Sequence, residues 1–538
     1  MKRISLIVSV LLMLGLLVSC GGNTPAGTDG TEKTPESSMS VTESAAETEP
    51  MPWDMDGTTH IGLSDTEITV NGEAASTDST SAVYTANDIV YYEAGHDFTY
   101  GEGTEADSHT ADEAASHTVV HITAPGTYTV SGKLSAGQIA VDLGEDAEDD
   151  PEAVVTLILD GADVTCTVAP AVIFYSVYEC GSSDTEGATK DVDTAAAGAN
   201  VIVADGSVNN INGSYVARIY KPDTVVLSDD GLEVEDAKKL HKYDAAFYSK
   251  QSLNVNGGET GDGVLNITAE NEGLDSELHL TVNGGNVNIL SGNDGINTNE
   301  DGVSVTTVNG GVLNIKVTGE TGEGDGIDSN GWLVINGGTV IAQACAFSAD
   351  AGIDSDMGIH VNGGTVIATG AMLDRIEDGG QNYAVFNFAE KYTGGVTLKN
   401  ADGTSVMDMN VENSFTVLVC SSPELTVGTY TLWCGDVQMQ GCTGEGMMGG
   451  MGRPEGMTPP EGMERPEGEP PEGFTPHEGE PPEGMTPPEG MERPEGEPPF
   501  GMGGGMGQGA GEASTEFVIA DGGNEFSRVC EADSITEV

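Results

Sequence analysis

The chain has 538 residues with 19 Lys+Arg against 88 Asp+Glu, a formal net charge of −69 and a pI near 4.1. So few cations leave no basic surface on which to hold phosphates, so nucleic acid is excluded as a partner, and any anionic ligand requires a bridging cation. Hydrophobic residues make up 37%, aromatics only 5%, and Gly numbers 76, a profile of short aliphatic strands joined by tight turns.

At the N-terminus, Lys2 and Arg3 precede an apolar run from Ile4 to Val18, followed by Ser19-Cys20-Gly21-Gly22. The run is too short for an ordinary membrane span and reads as a signal peptide over 1–20. Leu17-Val18-Ser19-Cys20 resembles the bacterial lipobox, which implies that Cys20 is lipidated and anchors the mature chain to the outer face of the cell membrane. Residues 21–60 are largely Thr, Ser, Glu, Gly and Pro and read as a disordered tether. Seven further cysteines follow. Cys166 with Cys180 and Cys420 with Cys434 are candidate bridges, and the odd count leaves at least one thiol outside them.

From residue 61 onward, short strand-like runs such as Gly126–Gly132, Gly137–Gly144 and Ala153–Cys166 alternate with polar turns. A repeat then emerges. Asn-Gly-Gly begins at Asn256, Asn283, Asn309, Asn336 and Asn362, at steps of 27, 26, 27 and 26 residues. One and three positions before each Asn stand mostly aliphatic residues, as in Leu253/Val255 and Leu333/Ile335, and a second strand follows each Gly pair. Two strands, with room for a third, per 26 residues cannot bury a core alone, so the coils stack and pair strand on strand about 4.8 Å apart. The fold class this predicts is all-β, a parallel β-helix solenoid over 61–440 that includes a C-terminal strand cap. A leucine-rich repeat lacks support in the Leu and Asn pattern, and a propeller blade needs a longer period. Residues 441–513 then become a Pro/Glu/Gly-rich low-complexity insertion, and strand character returns over 514–538.

One turn of each coil is acidic, reading "NEGLDS", "NDGINT", "GDGIDS" and "DAGIDS". Stacking places Glu272, Asp294 and Asp325 in one ladder and Asp275, Asn297, Asp328 and Asp354 in another, with Asp350 and Asp356 beside them. Two carboxylates one rung apart repel by roughly 3–4 kcal/mol at an effective dielectric of about 20. A hard cation such as Ca2+, which takes six to eight oxygens from carboxylates, amides and carbonyls, offsets that repulsion at neutral pH. The competing reading is a solvated acidic edge with Asp selected for turn geometry. Trp332 falls on the outward face of its strand, where it either stacks on a sugar ring or covers a coil. His279, in the same column, reads as a surface residue. Lys250 is the one base in a column continued by Glu277, Asn299, Asn330 and Asp356. It reads as a local ion-pair partner of the ladder or, alternatively, as a proton-abstracting base.

The blocks "HITAPGTYTVSGKLSAGQIAVDLG", "AFYSKQSLNVNGG", "DGIDSNGWLVINGG" and "SSPELTVGTYTLW" resemble the carbohydrate-binding β-helix domain of clostridial cell-surface proteins, a family similar to polysaccharide lyases. The resemblance covers roughly residues 85–440 and the returning strand near Glu516. It implies a right-handed parallel β-helix with Ca2+ at the Asp-rich corners, here Asp275, Asp294, Asp325, Asp328 and Asp354. It also implies non-catalytic binding of plant cell-wall polysaccharide, namely acidic pectic polymers with cellulose as a further ligand. Asn297 in place of an acid and Ala351 at the end of the first ladder depart from that pattern, and 182–198 reads as a loop insertion. Two alternatives stand beside it: a calcium-dependent pectate-type lyase with Lys250 as base, and a structural surface spacer.

Overall fold

The structure, a computed structural model, describes residues 57–443 and 513–532. The expected signal peptide with Cys20, most of the tether, nearly all of the low-complexity insertion and the last six residues lie outside the described residues. The described chain is all-β, with one five-residue helix, Ala111–Ala115, started by a Thr110/Glu113 capping box.

The Asn-Gly-Gly repeats set the register. Leu253–Gly257, His279–Val282, Val305–Val308, Trp332–Ile335 and Gly358–Val361 pair in parallel, each with the next. A second ladder, equally parallel, runs through Val208–Gly213, Val264–Ala269, Asn286–Ser291, Val312–Val317, Thr339–Gln343 and Thr365–Gly370. A third runs through Thr118–Ile122, Gly137–Asp142, Val172–Ser176, Ala245–Ser249, Glu272–Ser276 and Ile296–Thr298, and a bridge carries it to Ile327. In the Glu272 and Ile296 repeats the third strand is the acidic turn itself, which is too short and too polar to announce a strand by alternation.

Between the ladders the aliphatic columns stack like on like. Val255, Val282, Val308, Ile335 and Val361 form one column, and Leu274, Ile296, Ile327 and Ile353 another, all essentially without solvent exposure. Each buried aliphatic contributes about 1.5–3 kcal/mol relative to exposure, which no single coil could collect alone. At the turn, the Asn side chains form their own ladder. Asn283, Asn309, Asn336 and Asn362 each donate Nδ2 to the Oδ1 of the Asn one coil earlier, at 2.9–3.0 Å. The second Gly of the later copies, as at Gly338 (φ 78°), takes a left-handed backbone that side chains disfavour.

The last rung of the second ladder pairs antiparallel with Ser405–Ser421, opening a cap built around Tyr383–Asn400. The strand before the insertion, Val437–Thr443, pairs with Gly523–Glu531 after it. Phe386, Phe415, Phe517 and Phe526 supply a separate aromatic core there. The bridges suggested by cysteine spacing do not form, for all seven described cysteines are free thiols. Cys420 and Cys434 both pack into the cap core as separate thiols.

The glycines preceding the acids have a different task from those of the turns. At Gly295 a Cβ would lie 2.1 Å from Ile315 Cγ2 and 2.5 Å from the Gly326 carbonyl, and at Gly326 it would lie 2.3 Å from the Gly352 carbonyl. Coil-to-coil contact at this corner therefore admits no side chain. Gly295→Ala is expected to destabilise the fold by about 1–3 kcal/mol through overpacking. The check is chemical denaturation in chelator, where Gly261→Ala, a strained but open turn position, serves as the comparison for a purely backbone effect.

Candidate functional site

Backbone bonds fix the acidic corner rung by rung. Gly273 donates to the Asp294 carbonyl, Gly295 to that of Asp325, and Gly326 to that of Ala351, at 3.0 Å each. Glu272, Asp294 and Asp325 thus occupy equivalent positions, and Asp275 lies opposite Asn297 in register. The acids gather into two groups. In the first, Asp244, Glu272 and Asp275 offer carboxylate oxygens within 4.8 Å of one another; in the second, Asp325, Asp328 and Asp354 do the same. Asp294 links the two along the edge, its Oδ1 accepting the Asp325 N–H at 2.6 Å. Asp325 in turn accepts from the Ala351 N–H at 2.5 Å, so the coil lacking an acid still contacts the ladder through its backbone.

The groups differ in how charge is balanced. In the first, Lys242 Nζ stands 2.9 Å from Asp244 Oδ2. Burial, followed by the neighbouring carboxylates, holds Glu272 and Asp275 well above the ordinary carboxyl range. In the second, no Lys or Arg is ion-paired to Asp325, Asp328 or Asp354 among the described residues. Arg375, the base facing Asp374, is itself bonded to Glu377 at 2.9 Å. Burial first and adjacent acids next push Asp325 up to about 9, Asp354 to about 7 and Asp328 to about 6. Asp294 rises to about 7, for burial outweighs the N–H it accepts.

Several buried oxygens along this edge have no hydrogen-bond partner: Glu272 Oε2, Asp275 Oδ2, Asn297 Oδ1 and Asp374 Oδ2. Asn297 spends its Nδ2 on Glu272 Oε1 at 3.2 Å, which leaves its own Oδ1 without a donor. A donor set made only of oxygen, without His or Cys, suits a hard cation such as Ca2+ and disfavours zinc or copper. The residues present therefore fit calcium.

Three groups at the edge were missed in the sequence. Asp244 sits one coil before Glu272 and is tied to it by the Glu272 N–H to Asp244 carbonyl bond of 3.1 Å. Extending the ladder back through "YDAAF" was the available signal. Lys242 and Asp374 carry none, since both lie outside the period.

The expected sugar-facing residues separate. Trp332 is half-buried, its strand flanked by Val305 and Gly358. Lys250 is exposed and forms no ion pair among the described residues. The expected ion pair at its column is made instead by Lys239 to Glu277, at 2.9 Å. Lys250 lines a groove of about 570 Å³ together with Tyr175, Tyr243, His121 and His241, and Trp332 does not line it. His279, expected at the surface, is buried at 3% exposure. Its Nδ1 accepts the Val305 N–H at 3.1 Å, and the turn at Gly181 closes over it. The same loop binds the outer face through Thr194, whose hydroxyl bonds Asn254 and Thr281 at 2.7 Å.

Residues 116–401, more than half of the chain, match the model of a family described as carbohydrate-binding domain-containing protein. The chain belongs to that family. It is 27% identical over 171 residues to a carbohydrate-binding domain-containing protein of Acetivibrio thermocellus, a match covering 32% of this chain and 44% of the relative. The chain thus spans less than half the length of that relative. A solved structure titled as a polysaccharide lyase-like protein from C. thermocellum, gadolinium derivative, aligns with 57% of this chain and 90% of its own at 19% identity. Its TM-score of 0.33 leaves the fold to be read from the strands themselves.

The raised carboxyls fix a sign for pH. Because these groups hold protons more tightly folded than unfolded, the stability they lend is complete below the unfolded value near 4 and is lost as pH climbs through about 6 to 9. The chelated chain is expected to melt at a higher temperature at pH 5 than at pH 8. Millimolar calcium should flatten or reverse that slope, which calorimetry at the two pH values with EDTA and with calcium would measure.

Proposed function

We propose that the chain is a non-catalytic, calcium-dependent polysaccharide-binding protein, held at the outer face of the bacterial membrane through a lipid on Cys20. Its binding unit, residues 61–440, is taken to be a right-handed parallel β-helix. Two in-register parallel ladders with one strand per repeat, and a third that runs as strands to Ile296–Thr298, support the solenoid, and the general handedness of parallel crossovers supports the hand. The tether over 21–60 and the Pro/Glu/Gly-rich stretch over 441–513 serve as spacers in this reading.

One observation carries the functional part. Inside the segment that matches a carbohydrate-binding family, Asp325, Asp328 and Asp354 converge within 4.8 Å without a paired base among the described residues. A cation there would be held by these carboxylates and nearby carbonyls. Ca2+ accepts six to eight oxygens, so three side chains leave positions for the carboxylate and hydroxyls of a uronate. That resolves the charge problem, since a chain of −69 would otherwise repel a pectic polymer. The chain's own residues orient the ligands, with Asp294 fixing the Asp325 backbone and Asp325 fixing that of Ala351.

The test is electrophoresis through gels containing polygalacturonate. Retardation is expected with calcium and should vanish in EDTA. Asp328→Asn should weaken it by about 10- to 100-fold, the loss of one charge-assisted ligand, with no loss of melting temperature in chelator, where removing a buried charge relieves repulsion. Calcium-insensitive migration would favour a surface spacer. Release of unsaturated, ultraviolet-absorbing products that stops in Lys250→Ala would replace binding with lyase chemistry.

A further inference from the structure

The groove that Lys250 lines is remote in sequence from the Asp325 group and occupies the early rungs of the third ladder, over Thr118–Ile122, Gly137–Asp142 and Val172–Ser176. We propose that it is a second carbohydrate subsite, one that takes a segment of neutral glycan without a metal ion. The proposal rests on the carbohydrate-binding reading of the chain but not on its calcium dependence.

Composition makes the lining unusual. In a chain with only 5% aromatics, Tyr175 and Tyr243 meet here edge to face at 5.4 Å, and His121 is backed from outside the groove by Tyr84, stacked on it at 4.4 Å and 9°. Tyr243 is buried at 6% exposure and backs the half-buried Tyr175, so the ring surface open to the groove is the edge of Tyr175 with His121, against which the C–H face of a pyranose packs. The rings are held before any ligand arrives: His121 Nε2 bonds Asp88 Oδ1 at 2.8 Å, and the Tyr243 hydroxyl bonds His241 Nδ1 at 2.7 Å. Preorganisation of this kind lowers the entropic cost of binding. The volume of about 570 Å³ lies within the range of small-molecule sites and accommodates a short stretch of sugar rings.

Charge selects the ligand. Asp88, Asp142, Glu145 and Glu148 face the groove against Lys250 alone, so a uronate would meet net repulsion. Carboxylates suit sugar hydroxyls, each accepting from one or two O–H groups, while the Lys250 ammonium donates to ring or hydroxyl oxygens. No three of these acids converge as the two candidate metal groups do, among the described residues. Neutral sugar therefore fits here, and acidic sugar fits the calcium edge.

Isothermal titration of the full chain in EDTA with cellohexaose, xylohexaose and mannohexaose, and with a galacturonate hexamer as control, tests this. At least one neutral hexamer is expected to bind while the galacturonate hexamer does not. Asp142→Ala and Lys250→Ala, both at exposed positions, should each weaken that binding about tenfold or more without shifting the melting profile. No binding by any neutral hexamer at millimolar concentration, or binding unaffected by both substitutions, overturns the proposal. Asp328→Asn separates the two sites: it should weaken calcium-dependent pectate retention by about 10- to 100-fold and leave this binding unchanged, so either site can fail alone.

Discussion

Stacking coils at strand spacing forces whatever occupies a given turn into contact with its copies above and below. The consequence depends on the chemistry of the side chain. An amide is both donor and acceptor, so the Asn ladder from Asn256 to Asn362 satisfies itself, each Nδ2 reaching the preceding Oδ1. A carboxylate only accepts, and a column of them accumulates charge and orphaned oxygens together. Glu272, Asp275 and Asp374 all show the latter. The glycines that let the coils touch at Gly295 and Gly326 tighten this further, because no side chain can wedge the rungs apart. The acidic corner is therefore a place where packing and electrostatics oppose each other until a cation or a proton intervenes.

Much of this arrangement was legible in the residues. The spacing of Asn-Gly-Gly located the coils, and the aliphatic columns flanking it, such as Val255 to Val361, identified the buried face. The alignment of Glu272, Asp294 and Asp325 followed from the same period. What escaped was whatever the period does not govern. The third strand is hidden because residues such as Glu272–Ser276 are buried on both faces and do not alternate. His279 was assigned to the surface by strand alternation, which cannot anticipate that a distant loop at Gly181 folds back over it. Lys242 enters the first acidic group from the strand leading into its coil, outside any repeating column, and Asp374 arrives from the segment after the last one.

The two candidate sites use the same scaffold for opposite chemistries. Along the later rungs the outward positions near the corner are acids without matching bases, and a small, hard, multivalent ion is the natural complement. Along the earlier rungs, hydrogen-bonded rings share the groove with four carboxylates and Lys250. Stacked parallel ladders suit this division of labour, since each repeat carries its own turn sequence while the buried columns remain nearly constant. Substitutions at the turns can therefore change the ligand without disturbing the core.

The central claim, that the aligned carboxylates hold divalent cations, is met most directly by counting metal. Elemental analysis of the purified chain after dialysis from micromolar calcium should find bound calcium, with at least one equivalent lost in an Asp325→Asn, Asp354→Asn double variant that still folds. Calcium absent from the unmodified chain, or retained in equal amount by the double variant, would contradict the account.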